Sequence, residues 1–97
     1  MMIVWKECLA IKIIIISAVW CPACLIMRSR YEEIKKLFPN FSYIDYDFDL
    51  DEEIIETYNV GTTLPVLIVL DSNKEITRIV GEKSIEQISE TLKRYVK

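Results

Sequence analysis

Residues 11–24 read IKIIIISAVWCPAC, and this stretch decides the fold. Its first half, Ile11 to Ser17, is a run of β-branched residues with one charge, Lys12. A strand that is apolar on both faces belongs in the middle of a sheet, typically a parallel one. The second half changes character. Pro22 suits the first turn of a helix, where its missing N–H would be unpaired in any case. Beyond it Met27, Tyr31, Ile34 and Phe38 recur at helical spacing, and Arg28, Arg30, Glu32, Glu33, Lys35 and Lys36 fill much of the other face. Pro39 and Asn40 stop the helix. Cys21 and Cys24 therefore fall where a buried strand turns into a helix.

Downstream, residues 41–49 alternate. Ile44, Tyr46 and Phe48 point one way and Asp45, Asp47 and Asp49 the other, as in a strand with one wet face near a sheet edge. Asp49 and Glu52 have the spacing of a capping box ahead of a short helix through Ile54, Ile55 and Tyr58. A loop from Asn59 to Thr63 precedes Pro65 and the strand Val66 to Leu70. A turn at Asp71 to Lys74 leads into the strand Glu75 to Val80, giving an antiparallel hairpin. After Gly81, Ser84 and Gln87 form a second capping box for a last helix with Ile85, Ile88, Leu92 and Tyr95 inward. The order is β-α-β-α-β-β-α, an α/β class chain: a parallel βαβ unit followed by an antiparallel hairpin and a helix.

The 97 residues are read as one domain, 1–97, with no repeats or linkers. The net charge of −3 and the lack of any basic stripe give nucleic acid no electrostatic footing. The chain has no histidine, which removes the commonest metal ligand and general base and excludes Ser–His and Cys–His nucleophile pairs. Three cysteines, Cys8, Cys21 and Cys24, are too few for the disulfide framework of a secreted mini-protein and fit a reducing compartment. Met1 to Val19 is isoleucine-rich, but Lys6, Glu7 and Lys12 interrupt it, so it reads as a buried strand rather than a leader or a membrane anchor.

The pair Cys21-Pro22-Ala23-Cys24 carries the chemistry. Residues three apart lie on one side of a helix, at a Cα separation of about 5–6 Å that a disulfide can bridge. The two sulfurs differ. Cys21 stands at the helix N-terminus, where unpaired N–H groups and the dipole favour a thiolate. Cys24 lies one turn in, more buried and more firmly protonated. Cys21 is thus the nucleophile toward a disulfide, and Cys24 resolves the mixed disulfide. The same C-x-x-C spacing also supplies half of many metal sites. Within one chain the other half is missing, which leaves a dimer bridging a metal ion or iron–sulfur cluster as the alternative function.

Trp20-Cys21-Pro22-Ala23-Cys24 after a strand, Thr63-Leu64-Pro65 before the hairpin and Gly81 after it resemble the thioredoxin superfamily over roughly residues 11–96. The resemblance implies a minimal thioredoxin-like fold, with a mixed four-stranded central sheet flanked by helices. It implies a cis Pro65 lying against the cysteine pair, and a Leu64 backbone that pairs with an extended client segment. Trp20, Pro22, Ala23, Thr63, Leu64 and Gly81 would line an apolar docking surface. It further implies a cytoplasmic, monomeric thiol–disulfide oxidoreductase without a cofactor beyond its own Cys21–Cys24 disulfide. Its partners would be protein disulfides and a reductase or small-thiol electron donor, with neither nucleic acid nor membrane involved. The chain also departs from the family. Pro-Ala replaces the Gly-Pro of thioredoxins between the cysteines and is nearer the Pro-Tyr of glutaredoxins. Ile15 stands where thioredoxins carry a buried aspartate six residues before the first cysteine. Val80-Gly81-Glu82-Lys83 replaces the Gly-Gly-x-Asp segment with which glutaredoxins hold glutathione.

Three features read as incidental. Cys8 is a lone packed thiol and Trp5 an N-terminal packing residue. Asp45, Asp47, Asp49 and Glu56 match calcium-loop spacing, but Leu50 occupies the position that needs glycine.

Overall fold

A computed structural model of the chain describes residues 11–96. The readings of Trp5, Cys8 and the leader-like stretch before Ile11 lie outside the described residues. The elements run β1 (Ile11–Ser17), α1 (Pro22–Leu37), β2 (Ser42–Asp47), α2 (Glu52–Thr57), β3 (Val66–Asp71), β4 (Lys74–Val80) and α3 (Ile85–Lys93). The sheet order is β2-β1-β3-β4. β1 pairs in parallel with β2 and antiparallel with β3, and β3 pairs antiparallel with β4. This is the mixed four-stranded sheet of the minimal thioredoxin-like fold.

β1 is central because it can bury both faces. Ile11, Ile13 and Ile15 join Leu67 and Val69 of β3 beneath α1 and α3, which contribute Met27, Tyr31, Ile34, Ile88 and Leu92. Ile14 and Ile16 join Val66, Ile68 and Leu70 on the opposite face, where Ile54 and Ile55 of α2 and Tyr58 just after it pack against them. Each fully buried aliphatic side chain contributes about 1.5–3 kcal/mol of transfer free energy, so the five isoleucines between Ile11 and Ile16 anchor both layers.

The helix ends follow the sequence with one exception. Ser84 and Gln87 form a reciprocal capping box, with hydrogen bonds of 3.0 and 3.1 Å. The box read at Asp49 and Glu52 is not formed. α2 starts later, behind Asp51, and no side chain caps it. The aspartates are used differently: Asp51 Oδ2 accepts the Asp47 N–H at 2.7 Å, and Asp47 Oδ1 accepts those of Asp49 and Leu50 at 2.8 and 3.1 Å. These bonds fold residues 48–51 into a tight turn, so β2 ends at Asp47 rather than Asp49. At the other hairpin Ser72 and Asn73 both have positive φ, 54° and 68°, which a two-residue turn of type I′ requires.

Candidate active site

The C-terminal end of β1 delivers the chain to the site. After Ser17 the backbone turns through Ala18 and Val19, and the Cys21 N–H bonds to the Ala18 carbonyl at 3.2 Å. Cys21 is the N-cap of α1, with Pro22 in the first turn. Its Sγ therefore does what a serine or aspartate oxygen would do at that position: it accepts the Cys24 N–H, at 3.2 Å. The sulfur is held by a donor that belongs to its own partner cysteine. Both thiols are free, and both are mostly buried, at 5% and 8% exposure.

On the other side of Cys21 lies the loop before β3. The Cys21 thiol donates to the Leu64 carbonyl over 3.7 Å, forty-three residues away in sequence. The Leu64–Pro65 peptide bond is cis. The Gly81 N–H, at the end of β4, bonds to the Pro65 carbonyl at 2.8 Å, and Thr63 Cγ2 lies 3.8 Å from where a Cβ on Gly81 would stand. Gly81 has a φ of +85°, a conformation that L side chains rarely adopt. The first cysteine, the proline loop and the glycine thus come together from three separate stretches of chain.

The residues singled out as a docking surface divide into two groups. Trp20 is 53% exposed, Pro22, Thr63 and Gly81 are open to solvent in whole or part, and Ala23 is half-buried. The side chains of Leu64 and Pro65 are buried instead, Leu64 in the cluster that holds both cysteines, so neither lines the surface with its side chain. The Leu64 side chain packs in the core with both cysteines, and its carbonyl faces the Cys21 thiol.

Asp49 is a site residue that the sequence reading assigned elsewhere. Its Oδ2 accepts the Trp20 indole N–H at 2.8 Å, and Phe48 meets the Trp20 ring edge-on with centroids 6.0 Å apart. The Asp-Phe-Asp run was legible; its reach across to Trp20 depends on β2 returning beside β1.

Burial, followed by the hydrogen bond to Cys21, pushes the Cys24 thiol up from its usual 9.0 to about 11. Cys24 is therefore a firmly protonated thiol at neutral pH. Tyr31, buried beside the pair, is pushed up by burial and by the charge of Cys24 and Cys21. Among the described residues no group of three or more His, Cys, Asp or Glu side chains is placed to hold a metal ion, and no helix is long and apolar enough to cross a membrane.

The chain is similar to known proteins in sequence and in fold. A profile of the family described as Thioredoxin matches residues 5–94. Thioredoxin H5 of Oryza sativa subsp. japonica is 31% identical over 65 residues, 67% of this chain and 47% of that protein. Thioredoxin H-type of Oryza sativa subsp. indica is 28% identical over 91 residues, 94% of this chain and 73% of that protein. The chain thus spans about half the length of the first and about three quarters of the second. The X-ray structure of Fasciola hepatica thioredoxin shares the fold with a TM-score of 0.81 at 24% identity, over 97% of this chain and 89% of that one.

Proposed function

Because the chain belongs to the thioredoxin family, we propose that it is a thiol–disulfide oxidoreductase that reduces or exchanges protein disulfides. Cys21 is the nucleophile and Cys24 the resolving thiol. The observation that carries this reading is the position of Cys21 Sγ: at the start of a helix, 3.2 Å from the Cys24 N–H, with the Leu64 carbonyl on its other side. The N–H stabilises the charge that the attacking sulfur carries, and the carbonyl belongs to the strand-like loop on which an extended client can lie.

In the forward direction Cys21 Sγ attacks one sulfur of the client, a Cys21–client disulfide forms, and the other client sulfur leaves as a thiolate. Cys24 then attacks Cys21 Sγ. The Cys21–Cys24 disulfide closes, and the client departs with both sulfurs reduced. An external donor, a reductase or a small thiol, returns the pair to the dithiol. No cofactor beyond the pair takes part. Trp20, Pro22, Ala23, Thr63 and Gly81 surround the sulfur as the client-facing surface, and Leu64 and Pro65 supply backbone to it. We also infer that residues 1–97 act as one domain and as a monomer, in a reducing, cytoplasmic setting, in line with the low cysteine count.

The test is the reduction of a disulfide-linked polypeptide such as insulin with dithiothreitol as electron donor. The protein should accelerate it, and Cys21→Ser should return it to the rate of dithiothreitol alone. Equal rates for Cys21→Ser and the unaltered protein would end this reading. A redox titration of the pair against glutathione and against a thioredoxin reductase then identifies the donor class.

A further inference from the structure

Cys24 has two different sides. One packs with Ala18 and Leu64 in the core beneath the sulfurs. The other lines a cavity of about 350 Å³ between the flank of α1 and the β1–β2 face. The helix presents Cys24, Arg28, Tyr31, Glu32 and Lys35 to it, and the sheet presents Ile15, Ser17, Asp45 and Asp47. The cause lies in β2. Its alternation puts two aspartates where apolar side chains would have sealed against the helix, and the register sets Asp45 beside Ile15 and Asp47 beside Ser17. Carboxylates at such positions hold water.

The charged groups in this cavity are not equivalent. Lys35, three helical turns from Cys24, engages Asp45 at 3.3 Å and Glu32 at 3.6 Å. Arg28 carries no basic lone pair at neutral pH. The Tyr31 phenol is raised above the Cys24 thiol and keeps its proton. Asp47 stands at the cysteine end, paired with Ser17, the last residue of β1 before the turn into Ala18. Its Oδ1 is held by the N–H groups of Asp49 and Leu50, which fixes the carboxylate and leaves Oδ2 for water.

The geometry points to Asp47 as the group that takes the Cys24 proton, through water in this cavity, when Cys24 resolves the mixed disulfide on Cys21. This rests on the exchange reading above. The Cys24–Cys21 S–S bond forms, the Cys21–client S–S bond breaks with its electron pair on the client sulfur, and the Cys24 proton passes to Asp47. From there it returns to solvent or to the departing client thiolate. The step needs such an acceptor, since burial, the largest cause of the upward shift, still holds the Cys24 thiol protonated when Cys21 is bonded to the client. Asp47 acts through water rather than by touching sulfur, so it is a positioning residue for the proton.

Stopped-flow reaction with 5,5′-dithiobis(2-nitrobenzoate) separates the two sulfurs, in a Cys8→Ser background. The first thionitrobenzoate released reports attack by Cys21 and the second reports attack by Cys24. Asp47→Asn keeps an oxygen for the two N–H groups and removes only the base. Its first phase should be unchanged and its second slowed about tenfold or more, with recovery on adding imidazole and in Asp47→Glu. Asp45→Asn and Glu32→Gln should leave both phases within twofold. Ser17→Val, which replaces a hydroxyl with apolar bulk on the cavity wall beside Asp47, should also slow only the second phase, and it decides the matter should Asp47→Asn lose its thermal transition. A second phase within twofold of the parent in Asp47→Asn, or in Ser17→Val where Asp47→Asn does not fold, overturns the assignment of Asp47 and leaves the exchange reading standing. A parent protein with no second phase, and a first phase that survives Cys21→Ser, overturns both.

Discussion

Trp20 donates its indole N–H to Asp49 Oδ2 over 2.8 Å, so the residue ahead of the cysteine pair is tied to the turn that follows β2. Phe48 supports the same ring edge-on. Half of Trp20 remains exposed, and the tie fixes which half. The orientation of Trp20 is thus set by the same turn whose Asp49 and Leu50 N–H groups hold the Asp47 carboxylate.

Asp49→Ala should free the indole. The bond lies near the surface, so stability should fall by less than about 1 kcal/mol in a thermal or urea melt. Turnover should separate by client: KM for a polypeptide disulfide rises about two- to fivefold, while the rate with a small aromatic disulfide stays put. Equal effects on both clients would show that Trp20 does not orient the larger one.

Cys24→Ser should stop the reaction halfway. Cys21 still attacks, but with no second sulfur the Cys21–client disulfide accumulates. A non-reducing gel should show a covalent adduct of chain and client that dithiothreitol releases, and peptide mass mapping should place it on Cys21. Adduct on Cys8 instead would contradict the assignment.

Alkaline pH should loosen the fold in a defined direction. Burial raises the Cys24 thiol to about 11 and Tyr43 to about 12, and it raises Tyr31 as well. These groups hold their protons more tightly folded than unfolded. The native state therefore binds more protons over that window, and stability falls as pH rises from about 9, the ordinary thiol value, through 11 and beyond. Tm should be flat below pH 8 and decline above 9, and the decline should be shallower in Tyr31→Phe. Alkylation of Cys24 by iodoacetamide, followed by mass spectrometry, should stay negligible at pH 7 and climb toward pH 11.

The β3–β4 turn should tolerate improvement. Ser72 and Asn73 both sit at positive φ, and serine is a poor resident there. The double substitution Ser72→Asn with Asn73→Gly matches the turn type and should stabilise the protein by about 0.5–1 kcal/mol, a Tm rise of a few degrees, without altering reduction rates. A fall in Tm would show that the hairpin does not keep this turn in solution.

What the sequence revealed was local. The Ile11–Ser17 run could be placed at the centre of a sheet because only a central strand buries both faces. The α1 stripe, the Ser84–Gln87 box and the hairpin each follow from spacing within a few residues. What escaped it depends on the chain returning in space. The alternation after Phe41 showed that Asp45 and Asp47 share a wet face, but whether that face meets open solvent or the flank of α1 is decided by the parallel crossover. The Asp49–Glu52 spacing fitted a cap, yet Asp47 and Asp51 took the local N–H groups and Asp49 turned to Trp20. The resemblance places Leu64 on the docking surface, whereas its side chain is buried in the cluster that holds both cysteines.

β1 carries a last consequence. It has a hydrogen-bonded neighbour on each side and a packed layer above and below, and the reactive turn begins one residue past its end. Amides at Ile13 to Ile16 should be among the slowest to trade hydrogen for deuterium, and at rates that barely differ between the dithiol and the disulfide. Under the proposed chemistry the Cys21–Cys24 bond would open and close while the spine of the molecule takes no notice.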